Sequence, residues 1–102
     1  LGKNTGDDFR ERKVTLPVIL AYARASSEER AFWQRVIEQG AQEDGDLAIA
    51  MESLRRHGAL EDTRQKALDM ADRARSALDS LPDTEITRLL RDLAGYVVAR
   101  VV

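Results

Sequence analysis

Gly2–Pro17 reads GKNTGDDFRERKVTLP. Most of the remaining chain has the spacing of amphipathic helices, and this stretch does not. It crowds Lys3, Asp7, Asp8, Arg10, Glu11, Arg12 and Lys13 into a short span with Gly2 and Gly6. Glycine adopts backbone shapes that other residues resist, so Gly2 and Gly6 are read as turn residues. Lys3 and Lys13 are compact point cations of the kind that hold phosphate. Asp7 and Asp8 offer hard oxygen ligands that suit Mg2+. Pro17 is placed for the first turn of a following helix. Cations, carboxylates and a flexible loop beside a helix mouth together suggest a diphosphate–metal site.

The helical readings follow outward from this loop. Residues 1–14 read as loop, with a helical turn expected around Asp8–Arg12. Thr15 is placed to cap a helix through Val18, Ile19, Leu20 and Tyr22 to Arg24. Ser26 and Glu29 have the spacing of a capping box, and Phe32, Trp33, Val36 and Ile37 then recur at helical spacing up to Gly40. After the linker AQEDG, Asp44 or Asp46 is expected to cap a helix carrying Leu47, Ala50, Met51 and Leu54 on one face, ending at Gly58. Leu60–Leu81 reads as the longest helix, with Ala67, Ala71, Ala74, Leu78 and Leu81 in a stripe, stopped by Pro82. Asp83 or Thr84 is expected to cap a last helix bearing Ile86, Leu89, Leu90, Leu93 and Val97. The β-branched VVARVV end weakens its helical character. About five helices with short connections predict an all-α helical bundle. Its expected core includes Leu47, Met51, Leu54, Ala71, Leu78, Leu89, Leu90 and Leu93.

The chain has 102 residues, 43% hydrophobic and 33% charged. That suits a single folded segment, residues 1–102, rather than a disordered chain. A net charge of −2 gives no reason to expect nucleic-acid binding. With no cysteine there is neither a disulfide framework nor thiol catalysis, which fits a reducing compartment such as the cytoplasm. No apolar run approaches the roughly 20 residues of a membrane span. Leu1 opens directly on the charged loop, so the chain reads as a piece of a longer polypeptide.

The loop also carries a resemblance. Gly2-Lys3, Gly6-Asp7-Asp8, Lys13, Thr15, Leu16 and Pro17 stand at the spacing of a segment in trans-polyprenyl diphosphate synthases, just after their second aspartate-rich motif. The likeness continues more loosely through VILAYARASSEERAFW and HGALEDTRQKALDMA. Arg12 departs from the pattern, which usually has a glycine before the lysine, where glycine relaxes the turn. The resemblance implies that this chain is the C-terminal part of the isoprenoid synthase fold, a barrel of helices around a prenyl cavity. It implies a Mg2+-dependent enzyme, a homodimer when complete, that joins isopentenyl diphosphate to an allylic prenyl diphosphate head to tail. The closeness of GDDFRE and KVTLP implies a long product, of the octaprenyl or decaprenyl kind used as a ubiquinone side chain. Lys3 and Lys13 match lysines that face the allylic diphosphate. The family's magnesium-binding aspartates lie upstream, so the fragment alone is expected to be inactive.

Two readings of the carboxylates stay open. Taken alone, Asp7, Asp8 and Glu11 imitate an aspartate-rich metal motif, and on a helix Asp8 and Glu11 would share a face and bind the ion directly. By the resemblance, Asp8 lies near the metal and lysine cluster without ligating. GKNTG does not make a phosphate-binding P-loop, because Asn4 stands where a Ser or Thr is needed. His57, before Gly58, is read as a helix-end residue where positive charge is favoured, and Phe32 and Trp33 as core aromatics. The rival to the enzyme reading is a non-catalytic helical protein-interaction module. It accounts for the amphipathic helices but not for the charges crowded at one end.

Overall fold

A computed structural model describes residues 5–101. They form six α-helices: α1 (Thr5–Arg10), α2 (Leu16–Arg24), α3 (Ser27–Trp33), α4 (Asp46–Arg56), α5 (Ala59–Leu78) and α6 (Glu85–Val101). α3 runs on into a π-helical turn at Gln34–Glu38. No strand occurs among the described residues, so the all-α expectation holds, and the VVARVV end is helical through Val101. The chain divides into two compact units between Thr63 and Arg64.

In the first unit, Phe9, Val18, Ala21, Trp33, Val36, Ala50, Leu54 and Ala59 form the core. α4 packs against α1 and α2, burying Ala50 and Leu54 and half-burying Leu47 and Met51, the face its spacing predicts. Complete burial of a side chain like Leu54 contributes about 1.5–3 kcal/mol. Edge-to-face contact between Phe9 and Trp33, centroids 6.3 Å apart, joins α1 to α3. The Ser26–Glu29 capping box forms as expected.

Several boundaries differ from the sequence reading. Residues 5–10 are helical, earlier than the turn expected at Asp8–Arg12, because Phe9 anchors that segment to Trp33. Gly6 therefore lies inside a helix rather than at a turn. Among the described residues the left-handed glycines are Gly40, Gly45 and Gly58. Neither aspartate caps α4: Gly45 is its N-cap, with φ 89°, and the Asp46 carboxylate is drawn away by Arg35. α5 ends at Leu78 rather than Leu81, before Pro82. Thr84 does cap α6, its hydroxyl accepting from the Thr87 N–H.

The second unit gives the largest correction. Leu89, Leu90 and Leu93 were expected in the core but are 60%, 43% and 57% exposed. The buried residues there are small: Ala71, Thr87 and Ala94. Among its described residues this unit contains only α6 and most of α5, too few elements to cover each other's apolar sides completely. Leu90, Leu93 and Val97 of α6 instead line an open groove of about 610 Å³ with Met70, Ala74 and Leu78 of α5.

Candidate functional site

The charged loop lies between α1 and α2. Glu11 follows α1, and Arg12 then takes a left-handed backbone, φ 62°. The Arg12 N–H donates to the Phe9 carbonyl at 3.0 Å and the Lys13 N–H to the Asp8 carbonyl at 2.9 Å. This pair of bonds is a Schellman motif, with Arg12 where glycine is normally found. It fixes the backbone of Lys13 directly against the end of α1.

The Lys13 side chain is exposed. Its ammonium lies 2.8 Å from a Glu11 carboxylate oxygen and 3.6 Å from one of Asp8. The bond to Glu11, then the charges of Glu11 and Asp8, raise its pKa above the ordinary lysine value, so it is a cation at any physiological pH. Asp7 pairs with Arg10 at 3.2 Å. Asp7, Asp8 and Glu11 thus each have a cation beside them, and Lys13 is shared by two. Among the described residues no three carboxylate or histidine groups converge to hold a metal ion. The residues present therefore do not make a closed all-protein metal cage by themselves.

Thr15 occupies the N-cap of α2 with extended backbone but makes no side-chain cap bond. Pro17 sits in the first turn, as expected. Val14, beside Lys13, is 66% exposed. It opens an apolar recess of about 350 Å³, lined also by Val18, Ile19, Tyr22, Trp33 and Ile37. Gly2 and Lys3 lie outside the described residues.

Three features of this region were missed in the sequence. The Arg12 guanidinium donates from Nε to the Ile37 carbonyl at 2.8 Å and from Nη2 to the Glu38 carbonyl at 2.6 Å. It so closes the open end of the π-turn with charge-assisted bonds. Gln42 Nε2 donates to the carbonyls of Phe9, at 2.7 Å, and Val36, at 3.0 Å. Arg35 grips Asp46 with two bonds of 2.9 Å, which hold the carboxyl of Asp46 below its ordinary pKa. Only the first had a signal, the arginine standing in place of the usual glycine.

His57 does stand at the end of α4, but its ring is also engaged, Nε2 lying 2.7 Å from Glu29 Oε2. Ser53 Oγ donates to the same oxygen at 3.2 Å. Serine and histidine both meet the carboxylate rather than each other, so no nucleophile–base pair exists here.

A family model described as Polyprenyl synthetase matches residues 1–54, a span that contains the whole loop. Octaprenyl diphosphate synthase of Escherichia coli is 41% identical, the alignment covering 98% of this chain and 31% of that protein. A decaprenyl diphosphate synthase structure from Rhodobacter capsulatus is similar with a TM-score of 0.89 at 58% identity, over 96% of this chain and 32% of the other. A polyprenyl synthase of Caulobacter crescentus, solved in complex with calcium and isoprenyl diphosphate, gives a TM-score of 0.78 at 43% identity, over 100% of this chain and 31% of the other. The chain thus spans about a third of the length of these relatives. With the loop inside the matched span, and the helices that carry it superposing on those of solved synthases, the chain belongs to the polyprenyl synthetase family.

Proposed function

We propose that the chain is the C-terminal part of a prenyltransferase that condenses isopentenyl diphosphate with an allylic prenyl diphosphate. In that reaction the allylic carbon–oxygen bond breaks and its electron pair leaves with the diphosphate. The double bond of isopentenyl diphosphate then attacks the allylic carbon, a new carbon–carbon bond forms, and a proton is lost. Negative charge grows on the departing diphosphate as the bond breaks. A fixed cation beside its oxygens is favoured more in the transition state than in the ground state, and only such a difference speeds the chemical step.

The observation that carries this reading is Lys13, an exposed ammonium on a backbone pinned by the Schellman motif at the mouth of α2. The N-terminal dipole of α2 adds to the positive field there. Lys3 is proposed as a second cation toward the same diphosphate. Asp8 is proposed to hold and orient Lys13 near the metal rather than to ligate it, and Asp7, paired with Arg10, to lie near the metal without ligating it. The complete enzyme is proposed to be a magnesium-dependent homodimer of the cytoplasm whose magnesium ligands lie in a part of the protein other than this chain, with a long polyprenyl product.

The test is turnover of radiolabelled isopentenyl diphosphate with an allylic starter. The full-length protein should extend the starter, and the 102-residue chain alone should give nothing above background. A full-length protein without product over a range of starters would remove the proposal.

A further inference from the structure

We infer that Arg12 is a positioning residue for Lys13: by strapping the α1–α2 loop to the end of the π-turn, it holds the ammonium where the proposed reaction needs a cation. The inference rests on the reading of Lys13 given above.

Three observations carry it. Arg12 has a left-handed backbone, φ 62°, which costs energy for any residue with a Cβ and persists only where the surroundings enforce it. The enforcement is visible: the guanidinium spans from the loop to the carbonyls of Ile37 and Glu38, 25 and 26 residues along the chain. The landing place is also shaped to receive it. Gly40 is left-handed too, and a Cβ there would fall 2.8 Å from Arg12 Cζ, so the guanidinium lies across a glycine that leaves it room.

The next residue along is Lys13. Its N–H is tied to Asp8 through the turn that Arg12 forms, so the strap and the turn jointly set where its side chain starts. A glycine at residue 12 would make the same turn without strain but without the strap. Gln42 would still join α1 to the π-turn through the Phe9 and Val36 carbonyls, but the loop would lose its own tie, and Lys13 would sample more positions. Orientation of a reacting group is worth large rate factors, and small misplacements are costly.

The experiment uses the full-length enzyme with Arg12→Gly, Lys13→Ala and the double variant, and measures kcat, KM for the allylic substrate and thermal melting. Arg12→Gly relieves the left-handed strain, so it should fold. Its kcat should fall on the order of ten-fold while KM moves less than about three-fold. Arg12→Lys, which keeps the charge with one donor group, should recover part of the loss. In the Lys13→Ala background the same glycine should cost less than about two-fold more, because it acts through a side chain already removed. A purely structural arginine would cost the same in both backgrounds. Equal costs, or a normal kcat for Arg12→Gly, would overturn the inference while leaving Lys13 in place. A normal kcat for Lys13→Ala would overturn the reading of Lys13 and this inference with it.

Discussion

Replacing Gly40 by alanine isolates the contact on which the loop geometry depends. At φ 71° an alanine pays about 1–2 kcal/mol for the left-handed conformation alone. The added Cβ would also sit 2.8 Å from Arg12 Cζ, 2.9 Å from Nη1 and 3.0 Å from Nε, so the guanidinium must move. It then gives up its bonds to the Ile37 and Glu38 carbonyls. Because that guanidinium is exposed, water replaces the lost partners, and each bond is worth only about 0.5–1 kcal/mol net. The expected cost of Gly40→Ala is therefore about 2–4 kcal/mol. Urea unfolding of the 102-residue chain, followed by far-ultraviolet circular dichroism, measures it. With Arg12→Gly already in place the clash is gone, and the cost should shrink to the left-handed part, about 1–2 kcal/mol. The same penalty in both backgrounds, or almost none in either, would refute the picture of a guanidinium laid across Gly40.

Other outcomes follow from the same structure. The carboxyl of Glu29 is held down from 4.5 to about 2, chiefly by the bond from His57 and then by Ser26 against the opposing effect of burial. A depressed carboxylate contributes stability above its unfolded value and loses it as pH falls through the folded one. Stability should therefore drop between pH 4.5 and about 2, and Glu29→Gln should flatten that fall; parallel curves for the two proteins would contradict the assignment. Leu54 is 1% exposed, so Leu54→Ala should cost about 2.7–5 kcal/mol in urea unfolding, and a near-neutral effect would mean the core is misplaced. The chain exposes Val14, Ile19, Ile86, Leu89 and Leu93, and apolar patches of that kind promote association. Sedimentation should show self-association rising with concentration, against an ideal monomer throughout if those side chains are covered.

Much of this was legible in the sequence because it depends on local pattern. The apolar faces of α3 and α4 follow from helical spacing, and the Ser26–Glu29 capping box from residue type at a fixed interval. The charged loop announced itself by composition. What escaped depends on partners distant in sequence. Nothing local says that Arg35 will take the Asp46 carboxylate, so Asp46 looked like a cap. Arg12 in the usual place of a glycine hints at a left-handed backbone, but its own residue type does not show that carbonyls far along the chain help to hold it there. Leu89, Leu90 and Leu93 have a perfectly apolar spacing, yet spacing tells which side of a helix is apolar and not whether anything lies against it.

The central claim is the proposal that Lys13 faces the allylic diphosphate as its carbon–oxygen bond breaks. Steady-state kinetics of Lys13→Ala in the full-length enzyme, at saturating substrates and magnesium, tests it most directly. The account predicts a kcat lower by about ten- to a thousand-fold with a smaller change in KM, partly restored in Lys13→Arg, which keeps the charge but not its compact form. Near-normal turnover of Lys13→Ala would show that this lysine is an ordinary surface residue and that the site lies elsewhere.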